Sequence, residues 1–130
     1  RSSDLGAKNN TNVRFIESNL FENIQEQKFN IIVSNPPYIR SNVINNLPKQ
    51  VQNEPHLALD GGEDGLKFYK KIIEQACNYI ENGYLILEIG YDQKEDVENL
   101  LKENKDYSEI KTIQDFSGND RCTIAKVGKI

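Results

Sequence analysis

Phe29-Asn30-Ile31-Ile32-Val33-Ser34-Asn35-Pro36-Pro37-Tyr38 is the stretch on which the reading of this chain turns. Ile31, Ile32 and Val33 form a short β-branched block bounded by Ser, Asn and Pro, the pattern of a strand buried on both faces of a parallel sheet. Pro36 and Pro37 fix φ, push the residue before each of them toward extended geometry and remove two backbone donors. What is left is a cluster of acceptors: the Asn35 side-chain oxygen and the carbonyls of Asn35 and Pro36. An NH2 group has two hydrogens to place, and a side-chain oxygen with a nearby carbonyl holds both. Tyr38 adds a flat face and a hydroxyl. At the C-terminal end of a strand, where open α/β sheets bind their ligands, this is a rigid claw for an amino or amide nitrogen. Away from such a strand, Asn-Pro-Pro would be only a stiff turn.

Working outward, residues 8–12 read as a turn before a short strand, Val13 to Ile16. Residues 39–59 form a polar, irregular stretch with Pro48 and Pro55, too long for a plain connector and placed just after the claw. Leu66 to Ile80 carries Tyr69, Ile72, Ile73, Ala76 and Ile80 at the spacing of one helix face, with Asp64 or Gly65 to start it and Gly83 to end it. Tyr84 to Ile89 reads as a second buried strand and Gln93 to Glu103 as a charged amphipathic helix. Ser108 to Gln114 and Arg121 to Val127 read as two strands joined by a turn at Gly118-Asn119. There is no internal repeat, low-complexity tract or interdomain linker.

The 130 residues, 28% charged and 37% hydrophobic, are of globular type. No stretch is apolar enough to span a membrane, and no membrane partner is expected. A net charge of −4 argues against a surface built to hold nucleic acid. Cys77 and Cys122 lack metal-ligand spacing and read as reduced thiols of a cytoplasmic protein. His56 is the sole histidine, and nothing near it in sequence suggests a triad or a metal set. Asp60-Gly61-Gly62-Glu63-Asp64-Gly65 lacks the carboxylates of a calcium loop at its third and twelfth positions, so it reads as a glycine turn into the helix. No metal is expected.

Asn35-Pro36-Pro37-Tyr38 resembles the signature of amino-group methyltransferases that use S-adenosyl-L-methionine. Asn53-Glu54-Pro55-His56-Leu57-Ala58-Leu59, the following Asp60-Gly61-Gly62, and Leu85-Ile86-Leu87-Glu88-Ile89-Gly90 with Gln93 narrow the resemblance to protein glutamine methyltransferases. Asp115-Phe116-Ser117-Gly118-Asn119-Asp120-Arg121 is similar to the release-factor branch, PrmC or HemK. The likeness implies a Rossmann-like α/β methyltransferase fold with strand order 3-2-1-4-5-7-6, in which the Val13 strand would be third and the Phe29 strand fourth. Nothing before Val13 supplies the first two strands or the glycine-rich loop, so residues 1–130 are expected to be the C-terminal portion of one methyltransferase domain.

The resemblance also implies roles. Asn35 and Pro36 would be the catalytic pair. Pro37, Tyr38 and Glu54 would join them in binding substrate, while Asn19, Leu20 and Asn35 would border the cofactor. Family members often carry Asp where this chain has Asn19. The implied reaction methylates the glutamine amide of the Gly-Gly-Gln motif in peptide chain release factors, the expected partners, in the cytoplasm. A ribosomal-protein glutamine methyltransferase, an adenine-N6 nucleic-acid methyltransferase and a non-catalytic fragment remain alternatives. The chain alone is expected to be inactive, to bind the cofactor weakly or not at all, and to self-associate through the exposed edge of the Phe29 strand.

Overall fold

The computed structural model describes residues 13–25, 27–39 and 61–128. The turn at residues 8–12, most of the polar stretch after the claw, and the site candidates Glu54 and His56 lie outside them. The described elements are β1 (Phe29–Ser34), α1 (Lys67–Ala76), β2 (Ile80–Glu88), α2 (Lys94–Lys102), β3 (Tyr107–Gln114) and β4 (Asp120–Val127). They build one four-stranded sheet in the order β1-β2-β4-β3. β1 runs parallel to β2, while β4 is antiparallel to both β2 and β3. This is the 4-5-7-6 half of the expected order.

Both helices pack on one face of the sheet. Tyr69, Ile72, Ile73 and Ala76 of α1 and Val97 and Leu101 of α2 are buried with Leu85 and Leu87 of β2 and Ala125 and Val127 of β4. Each fully buried Val, Leu or Ile among them contributes about 1.5–3 kcal/mol. Polar ties supplement the packing. The Thr112 hydroxyl donates to Glu98 Oε2 of α2 at 2.7 Å and lies 2.8 Å from the Thr123 hydroxyl, its cross-strand partner. The buried Tyr107 hydroxyl donates to the Ile73 carbonyl at 2.6 Å, fastening β3 to α1. No helix among the described residues is long and apolar enough to cross a membrane.

Three sequence-based expectations change. Val13 to Ile16 forms no strand: Val13, Phe15 and Ile16 are all exposed and the segment pairs with no strand of the described sheet. β1 is not buried on both faces, since Ile31 is 55% and Val33 69% exposed. It is the edge strand, and the helices cover only the face to which Ile32 and its partner Leu85 belong. Gly83 does not end a helix. α1 stops at Ala76 in a turn where the amides of Asn78 and Tyr79 bond back to Gln75 and Ala76, and Gly83 falls inside β2. A Cβ there would lie 1.7 Å from the Asn30 carbonyl oxygen, so glycine is what lets β1 close on β2 across an irregular register.

Candidate active site

β1 ends at Ser34, and Asn35, Pro36, Pro37 and Tyr38 leave the sheet directly from it. Asn35 is exposed, Pro36 buried, and Pro37 and Tyr38 are half-buried, so the carboxamide projects while the prolines brace it. A cavity of about 880 Å³ opens there, lined by Ser34, Asn35, Pro36 and Pro37 on one side and by Glu17, Ser18, Asn19, Leu20, Glu22 and Asn23 on the other. Phe68, from the first turn of α1, closes it. The structure thus brings Asn19 and Leu20 together with Asn35, Pro36 and Pro37. A smaller apolar hollow of about 360 Å³ adjoins it along β1, sharing Leu20 and Ser34 and adding Phe21, Ile24 and Phe29.

The facing wall is a self-bonded turn. The Ser18 hydroxyl donates to the Leu20 carbonyl at 2.9 Å and accepts from the Asn23 amide at 2.8 Å, and the Asn23 side chain donates to the Glu17 carbonyl at 2.9 Å. Leu20 has φ +56, a left-handed backbone that costs a non-glycine residue about 1–3 kcal/mol. Such strain clusters at ligand sites, and here it turns the Leu20 side chain toward the claw cavity and the neighbouring apolar hollow. Behind it, Phe21 stacks on Tyr79 with ring centroids 4.6 Å apart.

Tyr38 is placed differently from its three neighbours and does not line this cavity. Its ring lies over Gly90, where a Cβ would come within 3.0 Å of two ring carbons. The side chain also meets Arg121 of β4. That guanidinium is anchored by Asp115, whose Oδ2 is 3.3 Å from Nε, and the hydrogen bond to Asp115 holds its pKa above the ordinary value. Asp115 in turn accepts from the Asn119 and Ser117 amides at 3.0 and 2.9 Å, and these bonds, the one from Asn119 foremost, hold its carboxyl below the usual range. Arg121 therefore pairs with Asp115 across the β3–β4 turn, not with its neighbour Asp120.

The glycine turn before α1 backs the claw. The Gly61 amide donates to the Ile39 carbonyl at 2.8 Å, and a Cβ on Gly61 would fall 2.6 Å from Tyr38 Cα. Asp64 holds the turn by accepting from the Leu66 amide and pairing with Lys70, and both contacts lower its pKa. The residues the sequence did not single out are Glu17, Glu22, Asn23 and Phe68. Phe68 lies beside the apolar stripe that marks the helix, and only its position in the first turn could have signalled a ligand.

The cavity's chemistry suits an organic cation with an aromatic part. Two carboxylates, Glu17 and Glu22, offset positive charge; Asn19, Asn23 and Asn35 offer amide donors and acceptors; Leu20 and Phe68 give apolar surface. Among the described residues no group of three or more His, Cys, Asp or Glu side chains is placed to hold a metal ion.

Comparison with known proteins gives a consistent picture. Residues 3–122 match the profile of a family described as Eco57I restriction-modification methylase. Over 118 residues, 88% of this chain and 33% of the relative, the sequence is 46% identical to the release factor glutamine methyltransferase of Fusobacterium nucleatum subsp. nucleatum. It is 49% identical over 82 residues, 62% of this chain and 26% of the relative, to the ribosomal protein uL3 glutamine methyltransferase of Francisella tularensis subsp. tularensis. The crystal structure of a methyltransferase from Pyrococcus furiosus superposes with a TM-score of 0.65 at 22% identity, covering 98% of this chain and 56% of that one. The chain spans between a third and about two fifths of the length of the first curated relatives it matches.

Proposed function

Because the chain belongs to the Eco57I restriction-modification methylase family, we propose that it supplies the acceptor side of a methyltransferase site, and that the acceptor is the side-chain amide of a protein glutamine. The observation that carries this reading is the exposed Asn35 carboxamide braced by Pro36 and Pro37 at the C-terminal end of β1, facing Asn19 and Leu20 across one cavity. S-adenosyl-L-methionine, when bound, supplies an electrophilic methyl group. Asn19 and Leu20 would border it, with Glu17 and Glu22 offsetting its charge.

A glutamine amide nitrogen is a poor nucleophile because its lone pair is delocalised into the carbonyl. The Asn35 side-chain oxygen and the Pro36 carbonyl would accept its two hydrogens, favour a pyramidal nitrogen and aim the lone pair. As the N–CH3 bond forms and the donor's S–CH3 bond breaks, one of those hydrogens would leave as a proton to solvent, amide oxygens being too weakly basic to keep it. Orientation of this kind converts a bimolecular encounter into a positioned one, and acceptors fixed in advance need no reorganisation. The proline pair keeps the two acceptors at a constant spacing. Glu54 and Tyr38 complete the substrate side in this reading, Tyr38 by its backbone and by the packing that holds the claw. Pro37, which lines the cavity, would pack against the substrate chain.

The substrate favoured is the glutamine of a peptide chain release factor, in the cytoplasm. Support comes from the names of the relatives that match most of the chain and from the Asp115 to Arg121 turn. A nucleic-acid base is the second reading, favoured by the description of the family profile: a flipped adenine presents the same NH2 group. The test incubates the chain, alone and with the N-terminal part of the Fusobacterium relative supplied in trans, with labelled S-adenosylmethionine. A release factor, a ribosomal protein and duplex DNA are offered in parallel. Label on the release-factor glutamine, located by mass spectrometry, is the expected result, and label on adenine alone overturns it. Asn35→Ala should lower the rate about 100-fold or more, the scale seen when one fixed polar partner of a transition state is removed. As Asn35 is exposed, stability should move by less than about 0.5 kcal/mol.

A further inference from the structure

Gln93 is 1% exposed, a carboxamide almost wholly withdrawn from water at the residue before α2. Burying an amide without partners costs several kcal/mol. Here every polar atom of the side chain is used. Nε2 donates to the Tyr38 carbonyl at 3.1 Å and to the Gly65 carbonyl at 3.2 Å. Oε1 accepts from the Gly90 amide at 2.9 Å, with the Tyr69 hydroxyl 3.5 Å away. Its backbone is occupied as well: the amide donates to Gly90 and the carbonyl accepts from Val97 in the first turn of α2.

The three groups this side chain joins are the three chain segments that meet at the end of the sheet: the exit of the claw, the glycine turn entering α1, and the exit of β2. Each is irregular backbone held to another segment, among the described residues, by a single backbone bond, Gly61 to the Ile39 carbonyl for the claw and the glycine turn and Ile89 to the Arg121 carbonyl for the exit of β2, with no continuous ladder. A bidentate donor spaced by one nitrogen can satisfy Tyr38 and Gly65 together only when the claw and the glycine turn stand at one separation. We infer that Gln93 is the positioning residue of the claw, setting where Asn35 and Pro36 stand by holding the Tyr38 carbonyl against the glycine turn. It touches neither acceptor nor donor of the methyl group. A displacement of about 1 Å in a positioned reaction lowers its rate about 100-fold, so this one amide has leverage on the chemistry without entering it. The inference deepens the amide-methylation reading and rests on it for its catalytic meaning.

The test exploits what Gln93→Glu removes. The carboxylate keeps the acceptor for Gly90 and loses both donors, facing the Tyr38 and Gly65 carbonyls with negative charge. A carboxyl so buried titrates above its ordinary range, and once protonated its hydroxyl can donate again. In the full 15N-labelled chain, the Tyr38 and Ile39 amides and the Asn35 side-chain NH2 should be displaced in Gln93→Glu at pH 8. They should return toward their wild-type positions as pH falls to about 5, while the wild-type signals, recorded over the same range, account for every other titrating group. Signals of Ser108 to Lys111 in β3, which touch neither Tyr38 nor Gln93, should not follow. Gln93→Met, uncharged and of similar length, should displace the same signals at every pH with no recovery.

Claw signals that match the wild type in both variants overturn the inference. So does an equal disturbance of Ser108 to Lys111, or loss of folding in both variants, since Gln93 would then be structural only. Where methyl transfer is measured, kcat of Gln93→Glu should fall about 100-fold at pH 8 and recover on acidification, with KM for the methyl donor within about twofold. A displaced claw in a protein whose wild type methylates no glutamine would defeat the reading of function and leave the positioning intact.

Discussion

At the residue scale, Asp115 shows how little burial a useful carboxylate needs. Its oxygens accept from two amides of the β3–β4 turn and hold Arg121, which reaches the Tyr38 side chain. Its pKa is depressed in the fold, so its contribution is complete above the unfolded value near 3.8 and is lost as pH falls through the lowered folded value. On acidification below about pH 4, the Ser117 and Asn119 amide resonances should move together along one titration curve. Asp115→Asn should remove that curve and disturb Arg121 while leaving α1 unaffected. Two-dimensional NMR across pH 2 to 6 checks it. An unchanged pair of amides would mean that the turn does not depend on the carboxylate. Sequence could offer Asp115 and Arg121 only as a motif, because Asp120 stands beside Arg121 in the chain and Asp115 does not.

At the scale of the elements, helices and strands were legible where one face is repetitively apolar and illegible where a single close contact rules. Tyr69, Ile72, Ile73 and Ala76 announce α1, and the alternation in β4 announces a half-covered strand, because burial imposes period on sequence. Gly83 carries no such period. As a glycine after a helical pattern it reads as a stop signal, yet its place is set by the Asn30 carbonyl of another strand, a fact that no local pattern encodes. Gly83→Ala should therefore act through the β1–β2 seam. Its Cβ must displace backbone, a small-to-large strain of about 1–3 kcal/mol, read as a lower midpoint in urea unfolding. Hydrogen exchange should quicken at β1 amides before those of β3 and β4. Equal protection of β1 in the variant would show that the strand absorbs the methyl group elsewhere. The claw itself was legible from Asn35 to Pro37; Gln93 stood out only as part of a motif and its role was not legible, since its partners are carbonyls 28 and 55 positions away.

For the whole molecule, the sheet carries helices on one face, and β1 stands at its border with Ile31 and Val33 exposed. An apolar strand that pairs on one side only among the described residues is a template for another chain, so the protein should self-associate with rising concentration. Light scattering of the wild type against Val33→Lys, which places a charge on that strand, should show larger species only in the former; a monodisperse monomer in both would count against it. The order of the strands has one further bearing. β4 enters between β2 and β3, and Arg121, at its start, lies near Tyr38 while its carbonyl accepts from the Ile89 amide. During synthesis the claw emerges more than eighty residues before the strand that comes to lie beside it. Nascent chains that stop short of β4 would present the acceptor groups without the scaffold that aims them. Order at the claw should then arrive only once translation has passed through this hairpin.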